Sequence, residues 1–135
     1  MKRLIVILFL SICALGIYAQ KSSTDIAISR AKDLIIATAN GDISRIKKLT
    51  TPEFYKEQYP YSDAEIQGLL LSVPYEKRQK LIDHIRNHSK ASALRNRAGD
   101  FITVIIENTI TGKEFTIGML DVEGNGDWRA ISYEY

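Results

Sequence analysis

Between Thr24 and Tyr135 the hydrophobic period of the chain changes once, near Lys90, from three-and-four spacing to alternation. Helices followed by strands leave no alternating βαβ units, so the pattern predicts an α+β fold in which N-terminal helices pack on an antiparallel sheet. A single core and a single domain suit a chain of 135 residues.

The helical half divides at its own stop and start signals. Ile28, Ala31, Leu34, Ile35 and Thr38 share one face of a helix that starts at Thr24 or Asp25 and stops at Asn40-Gly41. Asp42 can cap a short helix with Ile43, Ile46 and Leu49 inward. Thr51-Pro52 starts another, with Pro52 at the first helical position, where a missing N–H costs nothing, and this piece ends before Tyr59-Pro60. Ser62 and Glu65 form a capping box ahead of Ile66, Leu69 and Leu70, and a helix from Tyr75 to about Ser89 turns Leu81, Ile82 and Ile85 inward.

Strands are predicted over Phe101–Thr109, Glu114–Val122 and Trp128–Tyr135, with a further one around Ser92–Arg97. Phe115, Ile117 and Met119 fall on one face of the second; on the last, Ile131 and Tyr133 fall opposite Trp128 and Ala130. Thr111-Gly112-Lys113 and Gly124-Asn125-Gly126-Asp127 are turn sequences, which makes a meander of these strands.

The formal charge of +2 comes from the N-terminus. Lys2 and Arg3 precede sixteen uncharged residues, Leu4 to Ala19, which reads as a secretory leader, shorter than the ~20 residues of a membrane-spanning helix. The expected organisation is therefore a signal peptide over 1–19 and one domain over 20–135, exported to a periplasm or the exterior, with no membrane anchor after cleavage. The remaining 116 residues carry 16 charges of each sign, which argues against a nucleic-acid partner. Cys13 is the only cysteine and lies in the leader, so the mature domain would contain no thiol, disulfide or zinc–thiolate site. Lipid attachment at Cys13 is disfavoured by the bulky Ile12 before it.

The run Asn40-Gly41-Asp42, continuing through Ile43-Ser44-Arg45-Ile46-Lys47-Lys48-Leu49-Thr50-Thr51-Pro52-Glu53-Phe54, together with the closing Asp127-Trp128-Arg129-Ala130-Ile131, resembles the NTF2-like (cystatin-like) superfamily, in particular its small exported bacterial members of unknown function. The resemblance covers about Asp25 to Ile131. It implies a strongly curved antiparallel sheet wrapped around helices, forming a cone with a pocket or a dimer surface. It carries over no catalytic residue.

Chemistry-bearing side chains are sparse. His84 and His88 share a helix face, but Ile85-Arg86-Asn87 between them lacks the Glu of a zinc-protease helix and no third ligand has matching spacing. Asp121 to Asp127 resembles the start of a calcium loop, yet its twelfth position is Ser132 rather than Glu, and a β-turn accounts for its glycines. No metal and no cofactor are expected. Residues 76–97 carry a net +5 and residues 98–135 a net −5, which reads as a basic segment packed beside an acidic sheet edge, or else as a face for an anionic partner.

Tyr55, Tyr59, Tyr61 and Tyr75 cluster around Pro60, and Trp128, Tyr133 and Tyr135 sit on the last strand, where rings with a polar tip suit binding. The leading expectation is a non-enzymatic binding domain for a small molecule or a protein, including a second copy docked through the sheet. Tyr59, Tyr61 and Trp128 would supply apolar contact, and Arg95 and Arg97 would hold an anion. The alternative is a small lyase, isomerase or hydrolase with an acid or base in the cone, for which His84, Asp100 and Tyr75 are the candidates.

Overall fold

Capping chemistry divides the helical half at the boundaries the sequence predicts. The computed structural model describes residues 22–135, and the expected leader, with Cys13, lies outside them. Five helices run in order: α1 (Ser23–Asn40), α2 (Ile43–Leu49), α3 (Pro52–Gln58), α4 (Asp63–Leu71) and α5 (Tyr75–Asn87). Ser22 caps α1 by accepting the Asp25 N–H, so the helix begins slightly before Thr24. Gly41 ends α1 at φ 65°, a left-handed conformation that a side chain resists, and a Cβ there would also meet the Leu71 side chain at 2.9 Å. Asp42, Thr51 and Ser62 then cap α2, α3 and α4, the last with Glu65 in a complete capping box. Of the apolar residues expected inward on α4, Ile66 and Leu70 pack on the core while Leu69, about 100° round the helix from Leu70, is exposed.

Four strands, β1 (Ser89–Arg95), β2 (Phe101–Asn108), β3 (Glu114–Asp121) and β4 (Trp128–Glu134), form an antiparallel meander in the order β1-β2-β3-β4. β1 begins before the expected Ser92 and stops before Arg97, which lies in the Asn96–Asp100 turn; there Asn96 Oδ1 accepts the N–H groups of Gly99 and Phe101. The register sets Val104 opposite Ile117 and Ile102 opposite Met119. On this inner face α1 lays Ala27, Ala31, Leu34 and Ile35. Each fully buried Ile or Leu contributes roughly 1.5–3 kcal/mol. The fold is therefore α+β, five helices packed on a four-stranded antiparallel sheet.

β4 departs from simple alternation. Met119 faces Ala130 while Gly118 faces Ser132, so Ile131 is the extra residue of a β-bulge. The bulge shifts the phase of everything after it: Tyr133, opposite Ile117, joins Trp128 and Ala130 on the inner face instead of lying across from them. Ser132 Oγ accepts the Gly118 N–H at 3.1 Å, and a Cβ on Gly118 would meet that oxygen at 2.4 Å and the Phe101 ring at 3.0 Å. Glycine at 118 thus gives the hydroxyl and ring the room they occupy.

Arg30 fastens α1 to the start of β4. Its Nε donates to the Trp128 carbonyl and its Nη2 donates to Asp127 Oδ1 at 2.8 Å and to the Lys48 carbonyl at 3.2 Å. Among the described residues, no buried side-chain nitrogen or oxygen lacks a hydrogen-bond partner, and no helix is long and apolar enough to cross a membrane.

Candidate functional site

The helices do not cover the whole inner face of the sheet. Where β3 begins and β4 ends, they leave a cavity of about 720 Å³. Leu34, Ile35 and Thr38 of α1 form one wall, and Phe54 of α3 and Leu81 of α5 form others. Phe115 of β3 and Tyr133 of β4 close it from the sheet side.

Tyr59 enters this space because α3 ends at Gln58, and its backbone N–H still closes on the Tyr55 carbonyl. The Tyr55 and Tyr59 ring centres lie 5.3 Å apart. Tyr55 is held in turn by Asp63, which accepts from its hydroxyl at 2.9 Å and from Lys47 Nζ at 2.6 Å, so α2, α3 and α4 meet at one carboxylate. Opposite, the β4 bulge brings Tyr133 and Tyr135 to the same face as Phe115, with the Phe115 and Tyr133 ring centres 6.1 Å apart.

Tyr55, Tyr59 and Tyr133 are held in the neutral form. Burial pushes the Tyr133 phenol up, and the neighbouring Tyr59 and Tyr135 add to that. Burial raises Tyr59 as well, with the Thr38 hydroxyl acting the other way. Tyr55 is pushed up to about 12, first by burial and then by its bond to Asp63. Asp63 itself is held below the usual carboxylate range by Lys47 and then by Tyr55. Each phenol's folded value lies above its unfolded one. The stability it contributes is therefore complete below the unfolded value of ~10 and is lost as pH rises through the folded value. For Tyr55 that window closes at about 12. In an alkaline titration, the phenolate absorbance of these three tyrosines is expected to stay suppressed past the ordinary phenol range and to rise with the loss of near-ultraviolet circular dichroism. Ionisation of all phenols in one ordinary step, with the fold intact, would contradict the burial of Tyr59 and Tyr133.

Of the five residues expected to bind a ligand, Tyr59 lines the cavity and the other four do not. Tyr61 is 60% exposed and lies outside it. Trp128, 1% exposed, belongs to the core. Arg95 donates from Nε and Nη2 to the Gly99 carbonyl at 3.0 and 2.8 Å, closing the β1–β2 turn, and Arg97 is exposed in that turn. The three acid–base candidates are equally dispersed. Asp100 accepts from Asn96 Nδ2 at 2.8 Å, and Tyr75 is 67% exposed with the Arg78 guanidinium 5.5 Å from its ring.

His84 is engaged in structure. Asn108 Oδ1 accepts the N–H groups of Ile110 and Thr111, which leaves its Nδ2 to donate to His84 Nδ1 at 2.9 Å and puts the ring proton on Nε2. His88 meets His84 only ring edge to face, 6.2 Å between centres, with its Nε2 3.8 Å from Asp83. In the acidic loop, the Asp121 carboxylate accepts the Gly126 N–H and Asn125 Oδ1 accepts the Asp127 N–H, so these oxygens shape the turn.

The expected complementarity between the basic and acidic segments is not made as ion pairs. Among the described residues, no salt bridge joins residues 76–97 to residues 98–135; Asp127 pairs with Arg30 and Arg129 instead. The cavity residues that went unnamed as leading candidates, Tyr133, Thr38 and Lys77, come from three separate elements. Only the aromatic spacing of Tyr133 and Tyr135 signalled any of them. Comparison with protein-family models, with curated proteins and with solved structures found no significant match.

Proposed function

We propose that this chain is an exported, NTF2-like binding domain that takes a small, largely apolar molecule into the cavity between its helices and the end of its sheet, and that it acts by binding rather than by catalysis. The observation that carries this reading is the cavity itself: about 720 Å³, walled mainly by aliphatic and aromatic side chains, within the ~300–1,000 Å³ typical of small-molecule sites. Tyr59, Tyr133 and Thr38 supply hydroxyls that can orient a ligand without introducing charge. The lining contains no histidine or aspartate, and its one carboxylate, Glu114, is exposed, which favours binding over acid–base chemistry. The leader over 1–19 supports export, and the cone geometry of the resembled superfamily accords with a pocket at this place.

Nile red, a neutral fluorophore that brightens and shifts to the blue in apolar surroundings, tests the reading directly. Saturable binding at one site per chain is expected, with a Kd on the order of 1 μM. Emission that stays at its aqueous value across a titration would remove the proposal.

A further inference from the structure

We propose that the ligand of this cavity is an amphipathic anion, an apolar tail ending in a single carboxylate-like group, with the tail against the aliphatic and aromatic walls and the anion at the mouth facing Lys77, Arg78 and Lys113. The inference rests on the cavity-binding reading above and adds the chemical class of what is bound. Every charged residue of the lining belongs to the mouth: Lys77, Lys113 and Glu114 are exposed and Arg78 is half-buried, while the walls behind them are apolar. The four give a net charge of +2 around one opening. Among the described residues, none of the three cations makes an ion pair with a carboxylate, although the chain forms such pairs elsewhere, as Arg45 does with Asp33 and Lys47 with Asp63.

Arg78 is fixed in place. Its Nε donates to the Val73 carbonyl at 2.9 Å and its Nη1 to the Ala39 carbonyl at 3.2 Å. Both are neutral acceptors, so the guanidinium is positioned at the cavity wall with its charge uncompensated. Lys77 precedes it on α5, and Lys113 faces the same space from the turn just before β3. The phenols deeper in stay neutral and hold no charge that would repel an anion. A cationic or neutral ligand would leave this cluster without a partner, and an anion buried among the walls would lose its water without compensation. An anion at a wet, cationic mouth with its tail inside satisfies both conditions.

Competition against bound Nile red tests this with three molecules built on a ten-carbon chain: decanoate, decanol and decyltrimethylammonium. Decanoate is expected to displace the dye at about tenfold lower concentration than decyltrimethylammonium, with a preference that shrinks as salt is added. In the Lys77→Met/Lys113→Met double variant that preference is expected to fall by at least threefold; it is a ratio of two competitors against the same dye, so any change in Nile red affinity itself cancels. Saturable Nile red binding by the double variant shows that the exposed substitutions leave the cavity intact. Equal displacement by all three molecules, or a decanoate preference unchanged in the double variant, overturns the anion assignment and leaves cavity binding standing. Failure of the wild-type protein to bind Nile red overturns both.

Discussion

Trp128→Ala is expected to destabilise the domain by about 3–5 kcal/mol, the cost of removing a buried large aromatic and leaving a cavity behind. Trp128 is 1% exposed at the inner start of β4, within the hydrophobic core. Its backbone carbonyl takes the Arg30 Nε bond that ties α1 to the sheet, so the collapse that would soften the loss is opposed by a fixed strand. Against a total stability of ~5–15 kcal/mol, the loss is a large fraction of the whole. In urea it corresponds to a midpoint lowered by roughly 2 M at a slope of ~2 kcal/mol/M. Circular dichroism in a urea titration reads it. A loss below ~1 kcal/mol would mean that the ring is not packed in the core, and would restore the expectation that it contacts a ligand.

The contrast between Trp128 and Tyr59 shows what was legible beforehand. Asp42, Thr51 and Ser62 each act on a backbone N–H three residues away, so the helix starts could be read from the sequence without knowing anything distant. The same holds for the inner face of β2, where alternation runs unbroken, and for Phe115, Ile117 and Met119 on β3. β4 could not be read this way. Its bulge depends on Ser132 meeting Gly118 fourteen residues earlier in the chain, and an alternation rule has no term for one extra residue. The error placed Tyr133 on the wrong face and made Trp128 look as available as the tyrosines.

The site was legible only where an aromatic follows a helix stop. Tyr59 closes α3 and turns into the cavity, while Tyr61, two residues on and past Pro60, is left in solvent. Arg95 has the charge to hold an anion, but its guanidinium donates to the Gly99 carbonyl in its own turn. Lys77, Arg78 and Lys113 come from α5 and the β2–β3 turn and share a mouth only after folding. The net +5 of residues 76–97 was visible; which of those charges would remain without ion-pair partners was a tertiary property.

Thr38→Trp is expected to give opposite changes in binding and stability, and this pairing separates a ligand site from a mere packing defect. Thr38 lies on α1 with its side chain at the cavity wall, close enough to the Tyr59 phenol to affect its ionisation. An indole there extends into open space rather than into packed atoms. The substitution loses the Thr38 Oγ1 bond to the Leu34 carbonyl, but that carbonyl remains part of the helix ladder and the loss is on the order of 1 kcal/mol. New dispersion contacts with the aromatic and aliphatic walls offset it, so stability is expected to change by less than ~1 kcal/mol in either direction. Nile red then has no room. Its affinity is expected to fall at least tenfold, or ~1.4 kcal/mol and more. Fluorescence titration and urea denaturation of the same preparation read the two quantities together. Undiminished dye affinity in a folded Thr38→Trp protein would place the binding site elsewhere. A binding loss that scaled with a loss of stability would point to a disrupted fold, whereas dye excluded from a domain as stable as the parent identifies the cavity as the site.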